Sequence, residues 1–384
     1  MKLAHLADPH LGRRAYTRLS ARGINQREAD AAAAFRAAID GVIAAVPDAV
    51  VIAGDLFDAV RPSNHSIVFA YRQLQRLVDA LPGVPVVLIA GNHDHPRSSE
   101  SGSILALFEE IGVKLATVEA RAFEDPVRGL RILAVPHAAL AGERPAMRPD
   151  PAFAYNVLVL HGEAQGILGV DAAALEHGGA RIEPEEVRAD LWSYTAWGHY
   201  HVQREVAPRA WYSGSLEYVS SNIWGELHEE ALLGGVGKGW LLVDLDTGTV
   251  QRMPIAPPRR VFDLPGIDAD GMDAAALDAS IALRIERVPG GLRDAVVRLV
   301  VRNVPRHVAR QLDHARIRAW KSDALHLHLD LRRPETAERP AFSGAPGRRQ
   351  TLPDLVADYL AARPLPSDLD RTRFVELGLT MLSS

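Results

Sequence analysis

Cysteine is absent from the 384 residues. That excludes disulfides and thiolate ligation, so any metal here would be held by imidazole, carboxylate or amide oxygen. Long apolar runs are missing too. No stretch approaches the roughly 20 residues that a membrane-spanning helix needs. The apolar start is short, and His5 and Asp8 interrupt it before a signal-peptide core is complete. The expectation is a cytoplasmic protein with no membrane partner. Aromatics are sparse at 6%, whereas histidine is plentiful at 15 residues. A composition of 47% hydrophobic and 24% charged residues is that of a globular chain. The length predicts more than one domain.

The net charge is −5, so the chain as a whole is no polycation. The charge is unevenly placed, however. Residues 284–333 hold twelve Lys/Arg against five Asp/Glu. Such asymmetry fits an anionic partner for that region, and equally a solvated face on an arginine-rich sheet.

Apolar runs at residues 3–7, 49–53, 84–90, 130–135, 156–160 and 195–197 read as buried strands. Amphipathic stretches at 30–46 and 66–80 read as helices long enough for crossovers. This alternation predicts an α/β fold. Glycines between 234 and 239 lack phosphate-loop spacing and read as turns before strands at 240–244 and 249–254. Pro254, Pro257 and Pro258 mark a boundary. Beyond it, alternating stretches at 295–301 and 324–331 predict a small α+β module, with His326 and His328 on one face. Residues 335–350 read as a linker. Residues 351–384 read as two short amphipathic helices, separated by Pro364 and Pro366, with apolar stripes from Leu352 to Leu360 and from Phe374 to Leu382. Helices this short need a surface to cover them.

Chemistry concentrates at five strand ends. Asp8-Pro9-His10 follows the first run. Gly54-Asp55-Leu56-Phe57-Asp58 follows the second, and Gly91-Asn92-His93-Asp94 the third. His161-Gly162 and Gly198-His199-Tyr200-His201 close two later strands. Ligand sites of open α/β sheets lie beyond the carboxyl ends of strands, so these segments converge on one crevice. The glycines before Asp55, Asn92 and His199 allow sharp turns. Asp, Asn and His together suit two divalent ions of the Mn, Mg, Fe or Zn kind. Two such ions clamp the attacking and leaving oxygens of a phosphoryl centre.

The five segments, in this order, match D-x-H, G-D-x-x-D, G-N-H-[DE], a single His and G-H-x-H. The chain thus resembles the calcineurin-like metallophosphoesterases, and within them the bacterial SbcD nucleases. Arg61-Pro62-Ser63 and Tyr212-Ser213-Gly214-Ser215-Leu216-Glu217 support the second likeness. The likeness is specific over roughly the first 245 residues and architectural beyond. It implies a two-sheet sandwich flanked by helices over 1–257, a small α+β DNA-capping domain over 258–334, and a C-terminal helix pair over 351–384. It implies that Asp8, His10, Asp55 and His201 hold one ion, while Asp55, Asn92, His161 and His199 hold the other, manganese being favoured. It implies that His93 protonates the leaving group. Asp58 could orient it, since a carboxylate fixes an imidazole tautomer. Asp at 58, where many archaeal and eukaryotic relatives carry His, favours the bacterial subgroup and leaves room for a phosphoesterase that is not a nuclease.

The leading expectation is a metal-dependent DNA nuclease regulated by an ATPase partner; the resemblance implies 3'–5' exonuclease activity on double strands, endonuclease activity on hairpins or single strands, a homodimer, and an SbcC-type ATPase bound by the terminal helices. Arg298, Arg302, Arg306, Arg316 and Arg318 are candidates for phosphate contact. One alternative is a phosphodiesterase or phosphatase of nucleotides or small molecules. The other is a scaffold without catalysis. His5 reads as core. His65, His137, His177 and His228 read as surface or supporting residues, and Glu163 and Glu217 as acids beside the site.

Overall fold

The computed structural model describes residues 1–95, 102–142, 144–166, 179–334, 351–365 and 370–381. The linker expected at 335–350, and with it His177, Pro366 and Leu382, lies outside them. The strands, in chain order, are β1 (Lys2–Leu6), β2 (Ala49–Ile52), β3 (Val86–Ile89), β4 (Lys114–Ala116), β5 (Arg121–Asp125), β6 (Leu130–Val135), β7 (Tyr155–His161), β8 (Glu163–Ala164), β9 (Arg181–Ile182), β10 (Tyr194–Gly198), β11 (Arg204–Ala207), β12 (Ala210–Tyr212), β13 (Gly239–Asp244), β14 (Val250–Pro254), β15 (Val261–Asp268), β16 (Val296–Arg302) and β17 (His326–Leu331). The helices are α1 (Gln26–Ala45), α2 (Asn64–Ala80), α3 (His137–Ala141), α4 (Pro184–Val187), α5 (Ile223–Leu232), α6 (Ala274–Glu286), α7 (Arg306–Gln311), α8 (His314–Asp323), α9 (Leu352–Ala362) and α10 (Arg371–Thr380).

Two six-stranded sheets form the body. One runs β14-β13-β1-β2-β3-β4, the other β11-β12-β10-β7-β6-β5. Their central strands pair in parallel. Alternation of side chains explains why these strands read as unbroken apolar runs. In the first sheet Leu3, Val51, Val87 and Ile89 face the second sheet, meeting Ile132, Val157, Val159 and Ala196. Ala4, Leu6, Val50, Ile52 and Leu88 face outward onto Phe35, Ile39 and Leu74 of the first two helices. Leu158, Leu160 and Trp197 line the far face of the second sheet. Each of the valines, leucines and isoleucines among them contributes about 1.5–3 kcal/mol on burial.

Helices α1 and α2 start earlier than the apolar periodicity predicts. Asn25 caps α1 by accepting from Arg27 N–H, and Ser63 caps α2 by accepting from Ser66 N–H. Such caps satisfy amide groups that the first turn leaves open.

The third sheet, β15-β16-β17, is parallel throughout and has its own apolar core, including Leu277, Ile281, Val297, Leu299 and Ile317. A seam of Ile223, Trp224, Val296 and Leu325 joins this module to the body. Arg18 reinforces it by donating to the carbonyls of Ser322 and Ala324 at 2.7 Å each, and Tyr16 stacks on His326 at 3.9 Å. His326 is therefore a packing residue at the seam.

Contacts divide the chain into residues 1–332 and 333–384. In the second unit α9 and α10 form a pair held by Arg371, which donates to the carbonyls of Ala361 and Arg363. Leu352, Leu355, Tyr359, Leu377 and Met381 stay exposed. Among the described residues no helix is long and apolar enough to cross a membrane.

Candidate metal centre

The loops after β1 and β2 are tied together. Asp8 N–H donates to Gly54 O at 3.1 Å, His10 N–H to Asp55 O at 3.0 Å and Leu11 N–H to Leu56 O at 2.9 Å. Asp94 adds the loop after β3. Its carboxylate accepts from the amides of Leu56 and Phe57 at 3.0 Å and of Gly91 at 3.2 Å. The sequence shows Asp94 inside a motif but assigns it no task. Three amide donors to one buried carboxylate make it the clasp between two ligand-bearing loops. Burial, and then Asp55 nearby, push its pKa up to about 6.

The turns are made differently from the sequence expectation. Gly54 does adopt a positive φ of 93°. Gly91, however, is needed for space: a Cβ there would lie 2.1 Å from Asp55 Oδ1. The left-handed backbone falls on the functional residues themselves, with φ of 51° at Asp8, 44° at His10, 50° at Asp55 and 98° at His199. Such conformations cost energy at residues other than glycine and persist where surrounding contacts impose them.

The side chains so presented meet from both sheets. Asp8, His10 and His201 form one buried group, and Asp55, His161 and His199 another, with ligand atoms within 4.8 Å of one another in each. Asn92 joins the second group. Its Oδ1 lies 3.0 Å from His161 Nε2 and 3.1 Å from His199 Nδ1. Asp55 Oδ2 stands 3.1 Å from His161 Nε2 and 3.7 Å from His10 Nε2, between the groups. The amide of His93 donates to Asp55 Oδ1 at 2.9 Å, and that of His199 to both Asp8 oxygens at 3.1 Å.

This donor set fits divalent cations. His161 Nδ1 donates to Ala53 O at 2.8 Å. In the neutral ring Nε2 is then a lone pair aimed at two oxygens, Asp55 Oδ2 and Asn92 Oδ1. Three lone pairs converging in a buried place call for a positive charge between them. Without an ion a proton serves. Burial opposes charge on His161, but Asp55 and Asp8 outweigh it and raise the pKa to about 9. Burial lifts Asp8 to about 7, and His161 restrains the rise. Asp55 goes the other way: burial would raise its pKa, yet His161 and His10 hold it well below the usual carboxylate range.

His93 stands at the edge, its ring 4.9 Å from that of His10. His93 Nδ1 lies 2.8 Å from the backbone carbonyl of Asp58. The Asp58 carboxylate approaches His10 Nδ1 at 3.4 Å and Arg13 at 3.6 Å. His10, Asp58 and His93 form a third group, their ligand atoms within 4.8 Å of one another.

The other candidates take various places. Glu217 accepts from buried Arg27 at 3.1 Å and from Tyr218 N–H at 2.7 Å. Glu163 pairs with Arg181. His5 Nδ1 is 3.0 Å from the Tyr194 hydroxyl in the core between the sheets. His137 is the first residue of α3, its ring 6.4 Å from that of His161, while His65 and His228 are exposed. Arg298 is held by both oxygens of Asp263, at 2.9 and 2.6 Å, and lies over the Trp224 ring. Arg316 lies over Trp320, with Glu286 at 3.4 Å. Arg302, Arg306 and Arg318 are exposed.

Comparison with known proteins agrees with this geometry. A family model described as calcineurin-like phosphoesterase matches residues 1–203. The relatives include the DNA double-strand break repair protein Mre11 of Sulfurisphaera tokodaii, 28% identical over 66% of this chain and 62% of the relative. That of Saccharolobus solfataricus is 27% identical over 64% and 60%. That of Archaeoglobus fulgidus is 31% identical over 63% and 57%. The chain thus spans about three-fifths of the length of the curated relatives it matches.

Proposed function

Because the chain belongs to the calcineurin-like phosphoesterase family, we propose that it is a two-metal phosphodiesterase whose substrate is DNA. The observation that carries this reading is the convergence of seven ligand-type side chains from both sheets on one buried place. In it Asp8, His10, Asp55 and His201 serve one ion, and Asp55, Asn92, His161 and His199 the other. Manganese is the first choice, with Mg, Fe or Zn as substitutes. Ions bound there activate water at neutral pH and offset charge on the phosphoryl oxygens.

The residues of the chain supply the rest. Asp94 and the Asp8 carboxylate fix the ligand loops through backbone amides. His93, with Nδ1 donating to the Asp58 carbonyl, uses Nε2 to pass a proton to the departing oxygen. The phosphorus–oxygen bond then breaks toward a neutral hydroxyl. Residues 258–334 cap the DNA, with Arg302, Arg306, Arg316 and Arg318 on phosphates; Arg298, engaged by Asp263, is left out. The exposed apolar residues of α9 and α10 bind an SbcC-type ATPase, and the chain works as a homodimer. The part that the relatives' names give them in double-strand break repair supports DNA over a small phosphodiester.

Incubation of the purified protein with manganese on linear and hairpin DNA tests the reading. Cleavage that EDTA abolishes is expected. Turnover of an aryl phosphodiester with DNA left intact would replace DNA by a small substrate. Inertness toward both would leave the scaffold reading.

A further inference from the structure

At the backbone carbonyl of His201 lies a charge network that the chemistry above does not use. Lys238 is buried and donates to the His201 carbonyl at 2.9 Å. Its Nζ also meets Glu226, which it contacts closely, Glu230 Oε1 at 3.0 Å and Ser215 Oγ at 3.1 Å. The same carbonyl accepts the Ser215 amide at 3.1 Å. Glu226 further accepts from Ser220 Oγ at 2.8 Å, and Glu230 from the Tyr218 hydroxyl at 2.8 Å.

Both carboxylates project from α5, an element that the apolar periodicity does not announce. The first turn of the same helix gives Ile223 and Trp224 to the seam with the three-stranded module.

An ammonium has three protons. The His201 carbonyl, Ser215 Oγ and Glu226 account for them, and Glu230 adds a second negative charge at 3.0 Å. Burying one cation with two anions costs several kcal/mol of desolvation per ion, and an apolar trio of equal volume would serve stability as well. Stability alone therefore gives no reason for the arrangement. Its link to chemistry is the carbonyl of a residue whose imidazole joins Asp8 and His10.

We propose that Lys238 is a positioning residue that, anchored by Glu226 and Glu230, sets the backbone of His201 and thereby the affinity of the Asp8–His10–His201 ion group alone. The inference rests on the two-metal reading. It makes a distinctive demand. The carbonyl that Lys238 holds belongs to the first group, whereas Asp55, Asn92 and His161 of the other group stand on different loops and His199, two residues from His201, has its amide held by Asp8.

Calorimetric titration of manganese into the metal-free full chain tests it, with the spin signal of bound manganese as a second readout. The wild type is expected to bind two ions. In Lys238→Met one step should weaken by roughly 10–100-fold, as for other residues that support ligands, with the other step unchanged. The double variant Glu226→Gln/Lys238→Met removes charge of both signs and guards against misfolding of the single one; it should show the same one-sided loss. Equal weakening of both steps, or full affinity at both in a folded variant, would overturn the proposal. Collapse of both variants would also overturn it, since the network would then serve folding. A wild type that binds no pair of ions would sink the metal reading and this inference with it, whereas unaltered variants beside a two-ion wild type would sink only the inference.

Discussion

Two residues of neighbouring loops, His93 and Asp58, ought to separate experimentally although their motifs suggest one dyad. In the proposed mechanism His93 touches the reaction through Nε2. His93→Ala should lower kcat by about 100–10,000-fold at saturating metal. Asp58→Asn keeps the backbone carbonyl that holds His93, and weakens the carboxylate's approach to His10. Its loss should therefore lie in metal affinity, roughly 10–100-fold. Raising the manganese concentration should restore activity to Asp58→Asn and leave His93→Ala inactive. An Asp58→Asn enzyme that stays slow at saturating metal would restore the carboxylate to the proton path.

Protonation gives a second prediction at this scale. The metal-free folded protein holds His161 at about 9, against an ordinary 6.5. A group raised in this way contributes stability that is complete below pH 6.5 and lost as pH rises through 9. Asp8, raised to about 7, adds the same sign at the lower end of that range. The histidines lowered by burial, His5 to about 3 and His137 to about 4, have given their full contribution above pH 6.5 and do not oppose the trend. The melting temperature of the apo protein should thus fall from pH 7.5 to 9. Added metal should reverse the slope, because binding expels the same protons. Thermal melts with and without EDTA at four pH values decide it; a flat apo curve would refute this balance of charges.

At the scale of elements, the central strands were readable, whereas the edge strands β4, β5, β11 and β15 and the turns were not. Apolar runs such as Leu130–Val135 are buried on both faces, so composition alone announces them. Their functional ends were readable because Asp, Asn and His are rare directly after such runs. The geometry in between was hidden. Nothing in Asp8-Pro9-His10 announces two ligands in left-handed backbone, since the cause is the pairing of this loop with that of Asp55, far along the chain. Helix α5 escaped for a related reason. Glu226 and Glu230 look like solvated acids until Lys238, in another segment, reveals a buried partner. Burial of charge depends on tertiary neighbours, which a single segment does not show.

Gly91 tests the crowding of these turns. Gly91→Ala puts a methyl group against the Asp55 carboxylate. The expected result is a loss of about 1–3 kcal/mol in unfolding free energy together with loss of the ion pair that Asp55 would share. Retention of both ions by Gly91→Ala, read by calorimetry, would mean that the loop gives way more easily than its hydrogen bonds suggest. For the terminal pair, Leu355→Asp/Leu377→Asp places charge on exposed apolar positions. It should leave the two metal-binding steps untouched and abolish capture of the proposed ATPase partner.

At the scale of the whole molecule, charge divides the labour. The chain is acidic overall, and its surplus of arginine gathers in residues 284–333. DNA affinity should fall steeply with salt. Arg306→Ala should flatten the slope of log affinity against log salt by about 0.9 for the phosphate released. Binding that ignores salt would remove residues 258–334 from the DNA path.

The ligands themselves come from separated stretches of chain. Asp8, His10, Asp55 and Asn92 follow strands of the first sheet, whereas His161, His199 and His201 follow strands of the second. Neither half can hold two ions alone. If the centre cuts DNA as proposed, it stays disarmed during synthesis until the ribosome has released residue 201 and the two sheets have closed on each other, and a nascent or half-unfolded chain would be harmless to the nucleic acid around it.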